Sequence, residues 1–183
     1  MADTLEMDDW IAGPELDMGA VRRVGERFEL RLVREIARPV EKVWAALTVP
    51  ERIADWLGEA TVELRVGGRY RIQLRGETDF IEGIITACQP PRLLEYNWTN
   101  GDGGPSIVRL DLEPKGQACR LLFTQTQMIG RRLIDTASGW HDFLDLIPIA
   151  ADGVRAEHDH QRWRATDDRY QVWLGPILAE SPS

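Results

Sequence analysis

The sequence predicts an α+β fold in which a curved antiparallel sheet grips one late helix, and three observations predict it. Between Ala60 and Gln127 six short segments carry strand chemistry, each bounded by turn residues. The stretch Leu133 to Ile149, LIDTASGWHDFLDLIPI, switches to helical period, with Trp140, Phe143, Leu144 and Ile147 at i, i+3, i+4 and i+7 and His141, Asp142 and Asp145 on the other side. The links between strands are too short for crossover helices, so neighbours must run antiparallel. A sheet with one apolar face and a helix with one apolar stripe each need cover, and each supplies it to the other.

Residues 1–25 contain Trp10, Ile11, Leu16, Met18 and Val21, but Gly13, Pro14 and Gly19 interrupt any long element, so this stretch reads as an extension. Arg27 to Ile36 alternates as a strand, with Phe28, Leu30, Leu32 and Ile36 on one parity. Arg34 falls on the apolar parity, where a strand-end cation snorkelling to water accounts for it better than one lining a cavity. Pro39 to Leu47 then takes helical period, with Glu41 near the positive end of the dipole and Val43, Trp44 and Leu47 as its stripe. A second short helix follows, with Thr48 and Glu51 at capping-box spacing and Ile53, Trp56 and Leu57 as its apolar side. The six later strands are Ala60 to Leu64, Gly68 to Arg75, Phe80 to Cys88, Arg92 to Trp98, Ser106 to Glu113 and Ala118 to Gln127. Gly67 and Gly68 offer positive φ for a hairpin, Pro90 and Pro91 stop a ladder, residues 101–105 form a glycine loop, and Lys115-Gly116 closes the last hairpin. Pro148 should end or bend the long helix just after Ile147.

With 183 residues and 43% hydrophobic content the chain can bury one full core. We therefore expect one gripping domain over residues 26–152, with extensions at 1–25 and 153–183. A cytoplasmic protein is expected, because no apolar run approaches a membrane span and MADTLEMDDW is acidic where a secretion signal is basic and then apolar. The formal charge of −8 argues against nucleic acid or an anionic membrane as partner. Cys88 and Cys119 lie inside strands without metal-like spacing and read as reduced core residues. The last segment is aromatic for a tail, and Tyr170, Trp173, Leu174, Ile177 and Leu178 keep helical spacing although Gly175 and Pro176 interrupt it. Such a stripe needs burial on the outside of its own sheet or against a second copy, and a homodimer through the extension stays open as the second option.

The stretches REIARPVEKVWAALTVPERIADWLG, VELRVGGRYRI, QPPRLLEYNW and SGWHDFLDLI resemble, in order, the activator of heat-shock protein 90 ATPase homologue family. That family sits within the START and polyketide-cyclase-like superfamily, SRPBCC, and the resemblance covers about Phe28 to Ala151. It implies a helix-grip fold enclosing an apolar cavity, on a scaffold whose members include lipid carriers, cyclases and co-chaperones. Where the family often places a histidine at the end of its last strand this chain has Gln125, so no proton-transfer role carries over to that position.

Strand parity independently puts Tyr70, Ile72 and Leu74 on one face, as it does Leu94, Tyr96 and Trp98, then Val108, Leu110 and Leu112, then Cys119, Leu121, Phe123 and Gln125. The expected ligand-lining set is Trp56, Tyr70, Ile72, Tyr96, Trp98, Leu110, Phe123, Gln125, Trp140 and Leu144, mostly apolar walls with Tyr96 and Gln125 as polar tips. Ser138, His141 and Asp142 contain triad residue types but diverge along a helix and lack a nucleophile elbow. His158, Asp159 and His160 read as a solvated tail, Gly67-Gly68 lacks phosphate-binding spacing, and Arg69, Arg71 and Arg75 read as a solvated outer edge. The leading expectation is a non-catalytic binder of a small apolar or amphipathic molecule, with no cofactor and no metal. A cyclase or hydrolase using the same cavity, and a co-chaperone-like interaction module, are the alternatives.

Overall fold

The computed structural model describes residues 9–99 and 104–180. Nine antiparallel strands form one sheet in the order β1-β2-β3-β9-β8-β7-β6-β5-β4. These are β1 (Ile11–Ala12), β2 (Ala20–Val24), β3 (Arg27–Ile36), β4 (Gly58–Val62), β5 (Arg69–Leu74), β6 (Phe80–Gln89), β7 (Leu93–Thr99), β8 (Pro105–Lys115) and β9 (Ala118–Ile129). Two short helices, α1 (Val40–Thr48) and α2 (Pro50–Ile53), follow β3, while α3 (Leu133–Leu144), α4 (Ile147–Ala150) and α5 (His160–Ala179) follow β9. The sheet curves around α3, as alternation and turn chemistry predict. Breaks of register between Phe28 and Leu30, and between Ile85 and Ala87, add the local bends a gripping sheet needs. Its inner face, from Tyr70, Ile72, Leu94 and Tyr96 to Val108, Leu110, Leu121 and Phe123, is buried.

The hairpins form where the turn residues place them. Ala118 pairs with Lys115 across the last one, and of the two glycines before β5 only Gly67 takes positive φ. The glycine loop expected at 101–105 lies, up to residue 103, outside the described residues, as does the acidic start of the chain through residue 8. The N-terminal segment extends the sheet: β1 pairs with β2, and β2 with β3. Met18 and Val21 anchor it in the core, and the guanidinium groups of Arg22 and Arg31 both lie over the Trp10 ring.

Several helical expectations need correction. The long helix stops at Leu144 rather than after Ile147, and Pro148 sits in the first turn of α4. A proline clashes with the carbonyl four residues before it, and for Pro148 that residue is Leu144. Thr48 does not cap α2; its hydroxyl donates to the Trp44 carbonyl at 2.8 Å and closes α1 instead. α5 runs unbroken through Gly175 and Pro176, since a helix already nucleated and packed tolerates one lost hydrogen bond near its end. It packs on the back of α3 rather than on the outside of the sheet. His141 and Asp142, on the side of α3 away from its apolar stripe, are therefore only 3% and 2% exposed.

Candidate functional site

Between α3 and the sheet, near the ends of β5, β7, β8 and β9, lies a cavity of about 130 Å³. The sheet contributes Leu74, Trp98, Ser106, Gln125, Met128 and Ile129, and the helical side contributes Arg132, Asp135, Thr136, Gly139, Trp140 and Phe143. Asp135 is exposed and Arg132 half-buried, so the charges stand at the rim, whereas Trp140 and Gln125 are buried. The aromatic wall is continuous: Trp98 and Trp140 have ring centroids 5.0 Å apart, and Phe143 meets Trp140 edge-on at 6.2 Å.

A hydrogen-bonded ladder ties this wall together. The Trp140 indole N–H donates to Gln125 Oε1 at 2.7 Å, Gln125 Nε2 donates to Ser106 Oγ at 2.8 Å, and Ser106 donates to the Trp98 carbonyl at 3.0 Å. An indole only donates and a carbonyl only accepts, so the direction of every bond and the orientation of the amide are fixed. The predicted polar tip Gln125 is thus first a structural link between sheet and helix. Tyr96, the other tip, stacks on Tyr70 with centroids 4.0 Å apart and hydrogen-bonds its hydroxyl. Tyr70 passes its own proton to the Leu47 carbonyl at 2.8 Å, and burial pushes both phenols well above the ordinary range.

Of the ten residues expected to line a ligand site, the cavity brings together Trp98, Gln125 and Trp140. Trp56, Tyr70, Ile72, Tyr96, Leu110, Phe123 and Leu144 lie in the closed core, where the Trp56 indole donates to the Ala46 carbonyl at 2.8 Å. Sequence reasoning missed Gly139. A Cβ at that position would meet no atom within 4 Å, and the missing side chain is what leaves the aromatic floor uncovered. A lone glycine inside a strongly patterned helix was the available signal. Met128 and Ile129 escaped because Gln127, at φ 62, turns the end of β9 out of simple alternation. Arg132, Asp135 and Thr136 escaped because they belong to no apolar stripe.

The polar residues behind α3 form a second cluster that holds segments together. Asp142 accepts from Arg162 Nη2 at 2.6 Å and faces His158 Nδ1 at 3.1 Å, so His158 is no solvated tail residue. Burial works against ionisation of Asp142, but the bonds from His158 and Arg162 outweigh it and hold the carboxyl below its usual range. Asp159 caps α5 through the backbone N–H groups of Gln161 and Arg162. Ser138 donates to Asp167 at 2.8 Å and His141 Nδ1 lies 3.1 Å from the Tyr170 hydroxyl, so the two triad residue types serve different contacts. Arg34 neither snorkels nor lines the cavity; it donates to Asp145 at 2.7 Å and to the Asp17 carbonyl at 2.9 Å. Arg75 likewise turns inward, to the carbonyls of Ala54 and Ala156. Among the described residues no cluster of His, Cys, Asp and Glu has metal-holding geometry, and no helix is long and apolar enough to cross a membrane.

A curved sheet around α3 with a pocket between them defines a helix-grip protein of the START/polyketide cyclase-like superfamily. Residues 37–151, more than half of the chain, match the family described as Activator of Hsp90 ATPase homolog 1-like protein, and the chain belongs to it. No curated protein matches the sequence significantly. Among solved structures the chain is similar to the crystal structure of CalU16 from Micromonospora echinospora. The two share 27% identity over 88% of this chain and 95% of that one, with a TM-score of 0.69. The protein MLL2253 from Mesorhizobium loti is similar at 25% identity over 68% of this chain and 97% of its own, with a TM-score of 0.63. DynU16, of the dynemicin biosynthetic locus, shares 24% identity over 72% of this chain and 50% of its own, with a TM-score of 0.63, a likeness of fold alone.

Proposed function

We propose that this chain binds a small, mainly apolar molecule in the cavity between α3 and the sheet, and that it acts as a binder without catalysing a reaction. The observation that carries the reading is Gly139: its absent side chain opens the floor formed by Trp140 and Phe143 where α3 faces the sheet. A glycine inside a helix costs about 1 kcal/mol relative to alanine, and an open pocket gives that cost a reason. Among the described residues the carboxylate that lines the cavity, Asp135, is exposed at the rim, a poor place for the shifted acid or base that catalysis in the interior would need. Removing about 150 Å² of ligand surface from water contributes about 4 kcal/mol, near-millimolar affinity for a single ring. A ligand extending past the rim would reach micromolar affinity by burying more. The test is Gly139→Leu, which fills the cavity from a position with room for a Cβ. Binding of small aromatic probes should disappear, while the melting temperature holds or rises. A variant that binds the probes as well as the wild type places the ligand elsewhere and ends this reading.

A further inference from the structure

We infer that the molecule taken by this cavity enters head first as a neutral aromatic ring bearing an oxygen, with any charged portion left outside at the rim. The inference rests on the binding reading above and names the chemistry of the ligand. Size sets the head. A cavity of about 150 Å³ takes up a molecule of benzene, and the cavity here measures about 130 Å³, room for a single-ring head. Its walls are the planes and edges of Trp98, Trp140 and Phe143, which favour a flat, polarisable head over a branched one.

Charge is excluded by position. Among the described residues the ionisable side chains on the cavity are Arg132 and Asp135, at its half-buried and exposed edge, and the interior polar groups, Ser106 and Gln125, are neutral. An ionic head would lose its hydration with no counter-ion to replace it. The oxygen follows from the ladder. Trp140 occupies Gln125 Oε1, which turns the amide nitrogen toward Ser106, and Ser106 spends its single proton on the Trp98 carbonyl. One of the two Nε2 protons is then committed, and the second has no acceptor among the described residues although Gln125 is only 2% exposed. That proton is a spare donor on a residue that lines the cavity, beside apolar walls. It suits a phenolic or carbonyl oxygen, and a phenol could also return its own proton to the second lone pair of Ser106 or Gln125.

The experiment titrates toluene, phenol, benzoate and benzylammonium against the full chain, following the indole N–H resonances of Trp98 and Trp140. Water holds phenol far better than toluene, so a purely apolar cavity would prefer toluene. Here phenol should bind at least as tightly as toluene, and both ions about tenfold or more weaker than phenol. In Gln125→Met, which keeps the side-chain volume, phenol should weaken about tenfold more than toluene does. The wild-type ranking decides alone if that variant fails to fold. Toluene ahead of phenol by tenfold in the wild type, or benzoate equal to phenol, overturns the ligand class and leaves the binding reading standing. Silence from all four probes at millimolar concentration overturns both.

Discussion

Trp140 is at once core and pocket wall, and its two roles separate by substitution. The side chain is 4% exposed, lies 4.5 Å from Phe123 between ring centroids, and gives its N–H to Gln125. Trp140→Ala should cost about 3–5 kcal/mol, the loss expected of a large buried aromatic. Trp140→Phe keeps most of the apolar surface but leaves the Gln125 carbonyl without its donor, and should cost about 1–3 kcal/mol. Urea unfolding at constant slope reads both, and a Trp140→Ala loss below about 1 kcal/mol would mean that the indole packs against empty space. Asp142 carries the corresponding role behind α3. It is 2% exposed and accepts from Arg162 and His158, so Asp142→Ala strands two donors and should cost about 1.5–3 kcal/mol. An unchanged urea midpoint for Asp142→Ala would show that water replaces it freely.

At the scale of elements, α5 is where pattern and structure part. Its stripe was legible: Tyr170 and Leu174 are fully buried, with Ile177 and Leu178 packed beside them. Its target was not, because hydrophobic periodicity records only apolar faces, and the back of α3 is joined to α5 through Ser138, His141 and Asp142. Polar residues that bury one another look, in sequence, like a solvated face. From β3 onward the strands were legible to within two residues, since alternation and turn chemistry act locally, but β1 and β2 lay hidden in what reads as an extension, and α2 stops at Ile53, short of Trp56 and Leu57. The break at Leu144 was displaced by three residues because the steric effect of Pro148 acts four residues upstream of the ring. The cavity was legible only in part: inward parity found Trp98, Gln125 and Trp140 but could not separate residues that fill space from residues that border it. That difference depends on what is absent at Gly139. Truncation after Asp152 should leave a folded body with a lower melting temperature, bare apolar surface at the former contacts of Tyr170 and Leu174, and increased binding of a hydrophobic dye. Dye binding and sedimentation equal to those of the full chain would show α5 to be detached in solution.

At the scale of the whole molecule, one imidazole joins the segments that the sequence scatters. His141 on α3 lies 3.1 Å from the Tyr170 hydroxyl of α5, and Tyr170 donates to the Met18 carbonyl at 3.1 Å. Because that phenol has one proton and a carbonyl can only accept, His141 Nδ1 must be the donor to Tyr170. The other ring nitrogen stands 3.6 Å from Asp17 and 3.7 Å from Asp145. Burial first, and then the Arg34 charge with a smaller push from Arg169, lowers the pKa of His141, while Asp145 and Asp17 pull partly the other way. The unfolded imidazole takes up its proton near pH 6.5, and the folded one only at lower pH. Between the two values the unfolded state holds more protons, so stability is full above about pH 6.5, declines as the pH falls through this window, and levels off below the folded pKa. The carboxyl of Asp142 produces a second decline below about pH 4, where the unfolded chain protonates before the folded one. Urea midpoints measured from pH 8 to pH 3 should therefore fall in two stages. His141→Gln should remove the upper stage and keep the lower, and Asp142→Asn should keep the upper and shrink the lower, which Asp17 and Asp152, also held below the usual carboxyl range, share. An upper stage that survives His141→Gln would assign the proton to another group and leave the junction of α3, α5 and the N-terminal turn insensitive to acid.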